Sequence, residues 1–345
     1  MTLLLRPQDH TGILDIADLI DALEQAYTEW GEDPTINAPR HVMPDARRLA
    51  VHQATVPFLH RTGVYGHTRN TRLTGAPLVG GKYHAGSFNW DLDTGLLDAI
   101  VLEQIVGPPY EKGGSDIRTS ATSAVGTKRL ARANAHTIGV LGSGRQARTH
   151  LFAMAAIRDI QSVKVYSPNP DHREAYARQM SEALGFPVKA VSDGRSAVQG
   201  VDIVLVATGG PKTPSLHGEW LEPGQHVTSC YGGTTRQDGE GRPLDPLVRD
   251  LDDDVITRSD LIYINSKEEA RNDLQGDMID PIQRGVLTWD RVHELPDLLL
   301  GKTPGRTSDS QITLYKNNGA PALADIVTES LVIKRARELG RGLEV

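Results

Sequence analysis

Among its 345 residues the chain has a single cysteine, Cys230, so no disulfide can close within it, and a reducing, cytoplasmic setting is the expectation. No run of about 18 apolar residues is present, which excludes a membrane-spanning helix of ordinary length. The start, Met1-Thr2-Leu3-Leu4-Leu5-Arg6-Pro7, is too poor in apolar residues to read as a secretory signal. Basic charge is not in excess: the formal net charge is −7, which argues against coating a nucleic acid. The twelve histidines contain no H-x-x-x-H or H-E-x-x-H pair, so a zinc site lacks support. No G-x-S-x-G elbow occurs, and Cys230 falls in what reads as a strand, so a hydrolase lacks support too. There is no internal repeat or low-complexity segment. The charges are well mixed apart from Asp250-Leu251-Asp252-Asp253-Asp254, which reads as a solvated loop.

What is present is a nucleotide-binding turn. The apolar strand Thr137-Ile138-Gly139-Val140-Leu141 runs into Gly142-Ser143-Gly144-Arg145-Gln146-Ala147, a G-x-G-x-x-A, and a helix follows. Gly142 permits the tight turn, Gly144 lets backbone approach a pyrophosphate, and Ala147 lets helix and strand pack closely. The helix N-terminus adds free N–H groups and a partial positive charge. Beyond it, Val163–Ser167 reads as a second strand, and Asn169-Pro170 caps a helix running towards Gly185. Val201–Thr208, His226–Tyr231 and Leu261–Ile264 read as further buried strands. Strands alternating with helices predict a parallel, doubly wound sheet over roughly residues 126–310, a Rossmann-type α/β domain.

The rest of the chain differs. Residues 50–106 hold short β-like runs broken by Gly, Pro and Asn, which predict a mixed or antiparallel sheet. Ala320–Leu339 reads as an amphipathic helix with Ala322, Leu323, Ile326, Val327 and Leu331 on one side. The expected partner to the nucleotide domain is therefore a mixed α+β domain.

The second strand ends at Ser167, where NAD-specific units place an acidic residue on the ribose hydroxyls. Ser167 does not repel a 2′-phosphate, and His172 and Arg173 follow within a turn as potential donors. This favours NADP(H) over NAD(H), with NAD(H) remaining open.

Several longer stretches carry a family resemblance. Arg118-Thr119-Ser120-Ala121-Thr122-Ser123-Ala124, Gly142-Ser143-Gly144-Arg145-Gln146-Ala147-Arg148, and Gly301–Asp309 followed by Ile312-Thr313-Leu314-Tyr315 resemble motifs of the ornithine cyclodeaminase/μ-crystallin family. Asp93-Thr94-Gly95 and Pro39-Arg40 are weaker matches. The resemblance implies a homodimer with a substrate and dimerisation domain, residues 1–125 plus 311–345, and an NAD(P)-binding domain, residues 126–310. It implies that Arg40 and Arg118 grip a substrate α-carboxylate and that the α-carbon exchanges hydride with nicotinamide. Candidate cofactor contacts are Gly142, Ser143, Gly144, Arg145, Gln146, Ala147, Ser167, Asn169, Arg173 and Thr208, with Thr119 and Asn317 from the matched stretches.

The chain also departs from the family. A lysine is usual in a G-x-K, but Gly63-Val64-Tyr65-Gly66-His67 lacks it. Lys82, in Gly81-Lys82-Tyr83-His84, is one candidate proton donor, and Tyr65 and His67 are the others. The cyclodeaminase Asp of a G-x-D falls at Thr234, and a hydroxyl cannot serve as a carboxylate base near neutral pH. Gly107–Gly114 reads as an added loop next to Arg118. The main expectation is an NAD(P)H-dependent oxidoreductase interconverting a small 2-imino or 2-oxo acid and its 2-amino acid. The alternatives are a cyclodeaminase that recycles its NAD and a non-catalytic NADPH or small-ligand binding protein. A small carboxylate-bearing substrate is expected, with no nucleic acid or membrane partner.

Overall fold

The computed structural model describes residues 1–42, 49–68, 84–102, 117–209, 213–230, 247–319 and 321–345. They divide into two compact units. One takes the described residues of Met1–Arg118 and Ala320–Val345, and the other those of Thr119–Thr235 and Pro243–Gly319. Lys82, Thr234 and the loop 107–114 lie outside the described residues.

The first unit is built on strands β1 (Leu3–Leu5), β2 (His41–Val42), β3 (Leu49–Val56), β4 (Arg61–Thr68), β5 (His84–Asp91) and β6 (Leu97–Leu102). With the terminal strand Leu343–Glu344 they form one sheet, ordered Leu343–Glu344, β1, β6, β5, β4, β3, β2. The pairs β3–β4, β4–β5 and β5–β6 are antiparallel, and β1–β6 is parallel, so the sheet is mixed. The helix Ile16–Glu32 starts where the Asp15 carboxylate accepts the N–H groups of Ala17 and Asp18. It buries Leu19, Ile20, Leu23, Ala26 and Tyr27 at helical spacing.

The C-terminal helix, Ala322–Glu338, was expected to be one-sided, and is not. Every residue from Ala322 to Ser330 is buried, while Leu331 is only partly so. The reason is that it packs between β3–β4 and the helix Ile16–Glu32. Gly63 on β4 makes the approach possible, because a Cβ there would lie 2.6 Å from Ile326 Cδ1.

The second unit is an eight-stranded parallel sheet. Its strands are β7 (Thr137–Leu141), β8 (Ser162–Tyr166), β9 (Val188–Ala190), β10 (Ile203–Val206), β11 (His226–Ser229), β12 (Leu261–Ile264), β13 (Val292–Glu294) and β14 (Thr313–Lys316). Their order is β9-β8-β7-β10-β11-β14-β12-β13. β10, β11, β12 and β14 are buried along their whole length, as strands covered on both faces must be. The order reverses between β7 and β10, and in open α/β sheets that switch point is where ligands bind. The chain leaves the second unit at Gly319, later than the sequence suggests, because β14 pairs with both β11 and β12.

Candidate functional site

The turn after β7 has the expected geometry. Gly142 has φ +113°, and a Cβ on it would sit 2.2 Å from the Ala207 carbonyl oxygen. Gly144 is the N-cap of the helix Arg145–Ile157 and brings no capping side chain to it. A Cβ at Gly144 would meet nothing within 4 Å, so open space faces the backbone where a pyrophosphate must come close. A groove of about 960 Å³ opens here, lined by Leu141–Gln146, Tyr166–Asn169, His172, Ala207–Gly209, Thr213–Ser215, His217, Trp220 and Cys230. The residues present fit a dinucleotide.

Of the cofactor candidates, Gly142, Ser143, Gly144, Arg145, Gln146, Ser167, Asn169 and Thr208 line this groove. Ala147 is buried behind it, under the Tyr176 hydroxyl, which donates to its carbonyl at 2.9 Å. Arg173 is turned onto its own strand: it donates to the Ser167 carbonyl at 3.0 Å and stacks over the Tyr166 ring. Its neighbour His172 is the one that lines the groove. Thr119 and Asn317 come together, with Asn317 Nδ2 donating to the Thr119 carbonyl at 2.8 Å and to Ser123 Oγ at 2.9 Å. Both are buried, and neither is among the groove-lining residues. Where the ribose would be read, Ser143 Oγ donates to Ser167 Oγ at 2.8 Å, and no carboxylate is present among the lining residues.

The acidic stretch 250–254 is not a solvated loop. Asp250 is fully buried, accepts a hydrogen bond from Thr208 Oγ1, and has its carboxyl pushed up mainly by burial. Asp252 instead caps a short helix by accepting from Val255 N–H. Behind the groove, Asp277 accepts the N–H groups of Asp250 and Leu251 and pairs with the buried Lys316, whose Nζ donates to Ser229 Oγ. Cys230 follows β11 rather than lying within it, and its thiol contacts the Val206 carbonyl.

The first unit holds a second cluster. Along β3, β4 and β5 the register sets His52 opposite Tyr65 and Tyr65 opposite Ser87. His67 and Asn89 lie two residues further along, on the same inward face, and all five are buried. The rings of His52, Tyr65 and His67 are 5.2–5.9 Å apart between centroids. The Arg118 guanidinium stacks 5.4 Å above the Tyr65 ring. Asp325, on the C-terminal helix, places Oδ1 2.6 Å from Arg118 Nε and Oδ2 3.0 Å from His52 Nδ1. One turn on, Glu329 accepts from Asn89 Nδ2 at 3.2 Å. Burial, with the Asp325 charge adding to it, pushes the Glu329 carboxyl up to about 8.

Arg40 leads into β2, between the bridge of Asn37 with Ala54 and the pair His41–Val51, so it runs alongside His52. Of the sequence-predicted catalytic set, Arg40, Tyr65, His67 and Arg118 therefore belong to one region of the first unit. His52, Asp325 and Glu329 are further members that sequence reasoning missed. Two acids at i, i+4 among the apolar residues of that helix's first half were the available signal. Among the described residues no group of His, Cys, Asp and Glu is arranged to hold a metal ion, and no helix is long and apolar enough to cross a membrane.

Residues 110–340 match the model of the ornithine cyclodeaminase/mu-crystallin family. A Δ1-pyrroline-2-carboxylate reductase of Bacillus cereus is 33% identical over 230 residues, which is 66% of this chain and 66% of that one. The chain thus matches just under two thirds of that relative's length. A Thermococcus litoralis Δ1-pyrroline-2-carboxylate reductase, solved with NADH and L-proline, is 28% identical with full coverage of both chains and a TM-score of 0.81. An archaeal alanine dehydrogenase dimer with bound NAD shares the fold at 20% identity and a TM-score of 0.79, covering 100% of this chain and 98% of that one.

Proposed function

The chain belongs to the ornithine cyclodeaminase/mu-crystallin family, and from that premise we propose that it is an NAD(P)H-dependent imino acid reductase. Its reaction takes a small 2-imino acid, Δ1-pyrroline-2-carboxylate being the first to test, with one hydride and one proton, to the 2-amino acid. The observation that carries this reading is the buried Arg118, seated on Tyr65 and paired with Asp325, in a chain that also carries the G-x-G groove. A fixed, dry guanidinium binds a carboxylate in two-point geometry far better than an exposed one. Arg40 is the second carboxylate ligand.

When bound, the dinucleotide supplies the hydride. The turn 142–147 would hold its pyrophosphate, and Ser143, Ser167 and Asn169, which line the groove, would face its ribose. NADPH is the preferred form: the Ser143–Ser167 hydroxyl pair offers donors and no repelling charge to a 2′-phosphate. The proton is delivered to the substrate nitrogen by Lys82, Tyr65 or His67. Thr234 in place of the cyclodeaminase aspartate supports reduction over ammonia loss.

The enzyme is also proposed to be a cytoplasmic homodimer. The outward face of the first unit's sheet exposes Leu49, Phe88 and Leu102, with Phe88 and Trp90 side by side at 6.2 Å. A sheet with an apolar outward face calls for a partner that covers it. The C-terminal helix does not contribute this surface, since its apolar residues are used inside its own unit.

The test is direct. Purified protein with Δ1-pyrroline-2-carboxylate should consume NADPH absorbance at 340 nm and form L-proline, faster with NADPH than NADH. Ammonia release from L-ornithine with catalytic NAD, without imine reduction, would overturn the reductase reading. Saturable NADPH binding with no turnover of any 2-imino or 2-oxo acid would identify a binding protein.

A further inference from the structure

The carboxylate-binding arginine is not held by its own helix alone. Arg118 is the second residue of the helix Ile117–Leu130, and its side chain is 11% exposed. Such a long side chain has many rotamers, and fixing one requires contacts at the guanidinium itself. Two are present. The Tyr65 ring lies beneath its plane, and Asp325 Oδ1 lies 2.6 Å from Nε. The Tyr65 ring backs the guanidinium, and Asp325 engages its Nε. With Nε engaged, the Nη1/Nη2 edge is the one with two-point geometry towards a carboxylate.

Asp325 is itself held. Its other oxygen meets His52 Nδ1 at 3.0 Å, and both side chains are 1% exposed. Its helix is pinned against β4 at Gly63–Ile326 and begins with Leu323 N–H donating to Asn37 Oδ1. The second acid of that helix, Glu329, is hydrogen-bonded to Asn89 and sits in an environment that keeps it protonated at neutral pH. Asp325 is the residue of that helix that pairs with Arg118 Nε.

Resting on the reading of Arg118 as the substrate-carboxylate ligand, we propose that Asp325, backed by His52, is a positioning residue that aims the Arg118 guanidinium at the substrate. Substrate affinity is then set partly by the C-terminal helix and by β3, neither of which need touch the substrate. Two effects of Asp325 oppose each other. Its negative charge offsets the Arg118 charge and weakens attraction for a carboxylate, whereas its contact with Nε fixes the geometry. At close range in a dry site, geometry decides a two-point contact. Removing Asp325 should thus weaken substrate binding, although the site becomes more positive.

The experiment compares Asp325→Asn, Asp325→Ala, His52→Gln and Arg118→Ala in the full chain. It measures KM and kcat for Δ1-pyrroline-2-carboxylate at saturating NADPH, and NADPH Kd by fluorescence quenching. Asp325→Ala should raise KM at least tenfold, and His52→Gln threefold to fivefold. Asp325→Asn, which keeps an oxygen acceptor at Nε, should raise it less than Asp325→Ala. NADPH Kd should stay within twofold in all, which a general loss of structure would not allow. An unchanged or lowered KM in Asp325→Ala would overturn the proposal, showing charge offset to be its only effect. If Asp325→Ala fails to fold, His52→Gln decides: an unchanged KM overturns the proposal. If Arg118→Ala keeps wild-type kcat/KM, the carboxylate reading itself is wrong. If Arg118→Ala is impaired while Asp325→Ala is not, only the positioning role is wrong.

Discussion

Replacing Glu329 by Gln should flatten the pH dependence of stability. The carboxyl lies between the C-terminal helix and the inward face of β5, is 3% exposed, and has its pKa pushed from the ordinary 4.5 up to about 8, chiefly by burial. A carboxyl raised in the folded state stays protonated there while the unfolded chain ionises. The folded state then holds more protons between pH 4.5 and about 8, so stability falls with rising pH through that window. Full stability is present below 4.5, and its loss is complete above 8. Each unit of pH within the window costs about 1.4 kcal/mol. From pH 5.5 to 8 the wild type should lose about 3 kcal/mol from this group alone, an upper bound if water enters the site. Glutamine keeps an oxygen to accept from Asn89 and carries no charge. At pH 5 the variant should match the wild type within about 1 kcal/mol, and at pH 8 it should be the more stable by about 3 kcal/mol or more. At about 2 °C per kcal/mol for a chain of this size, that is ~6 °C in melting temperature. Differential scanning fluorimetry of both proteins from pH 5 to 8.5 measures it. Other titrating groups cancel in the difference, including the buried His226, whose depressed pKa acts in the opposite direction, costing stability as pH falls below 6.5. Parallel melting curves across the range, or a less stable Glu329→Gln at pH 8, would refute the reasoning.

Other expectations concern binding and assembly. Arg118→Lys keeps the charge and loses the two-point grip, so kcat/KM for an imino acid should fall at least tenfold, about 1.4 kcal/mol, with NADPH Kd little changed in a fluorescence titration. Ser167→Asp adds a carboxylate beside Ser143, and calorimetry should show the order of NADPH and NADH affinities reversed. Gly142→Ala forces a Cβ to 2.2 Å from the Ala207 carbonyl at φ +113°, so NADPH binding should weaken by more than tenfold and the melting temperature should drop. Phe88→Glu places a charge on the exposed apolar sheet face, and light scattering should show the mass falling from about two chains to one.

The nucleotide turn was legible because everything it needs is local: a strand, two glycines and a helix start are contiguous in the chain. The polar row of the first unit was hidden by the same rule that exposed the turn. Alternation in a strand is usually read as apolar inward and polar outward. Here β3 turns His52 inward, and β5 turns Ser87 and Asn89 inward while Phe88 faces out. The inversion follows from two facts that a linear pattern does not carry. The inward face meets acids on a helix more than 230 residues away, and the outward face is apolar. The stretch 250–254 misled for a related reason. Its charges look alike in sequence, but Asp250 lies under the Thr208 hydroxyl while Asp252 caps a helix. Lys82 and the loop 107–114 fall outside the described residues, so the choice of proton donor rests on the variants Lys82→Met, Tyr65→Phe and His67→Gln.

The first unit is assembled from two ends of the chain, and this bears on how the protein is made. Its strands β1–β6 are synthesised early, but the helix that covers the His52–Tyr65–Ser87 row comes from residues 322–338. While a ribosome is still making the second unit, that inward face has no cover from its own chain. The parallel sheet of the second unit can close first, since all its strands precede Gly319. Released chains that end at residue 319 should therefore expose the uncovered face and recruit chaperones, while already binding dinucleotide.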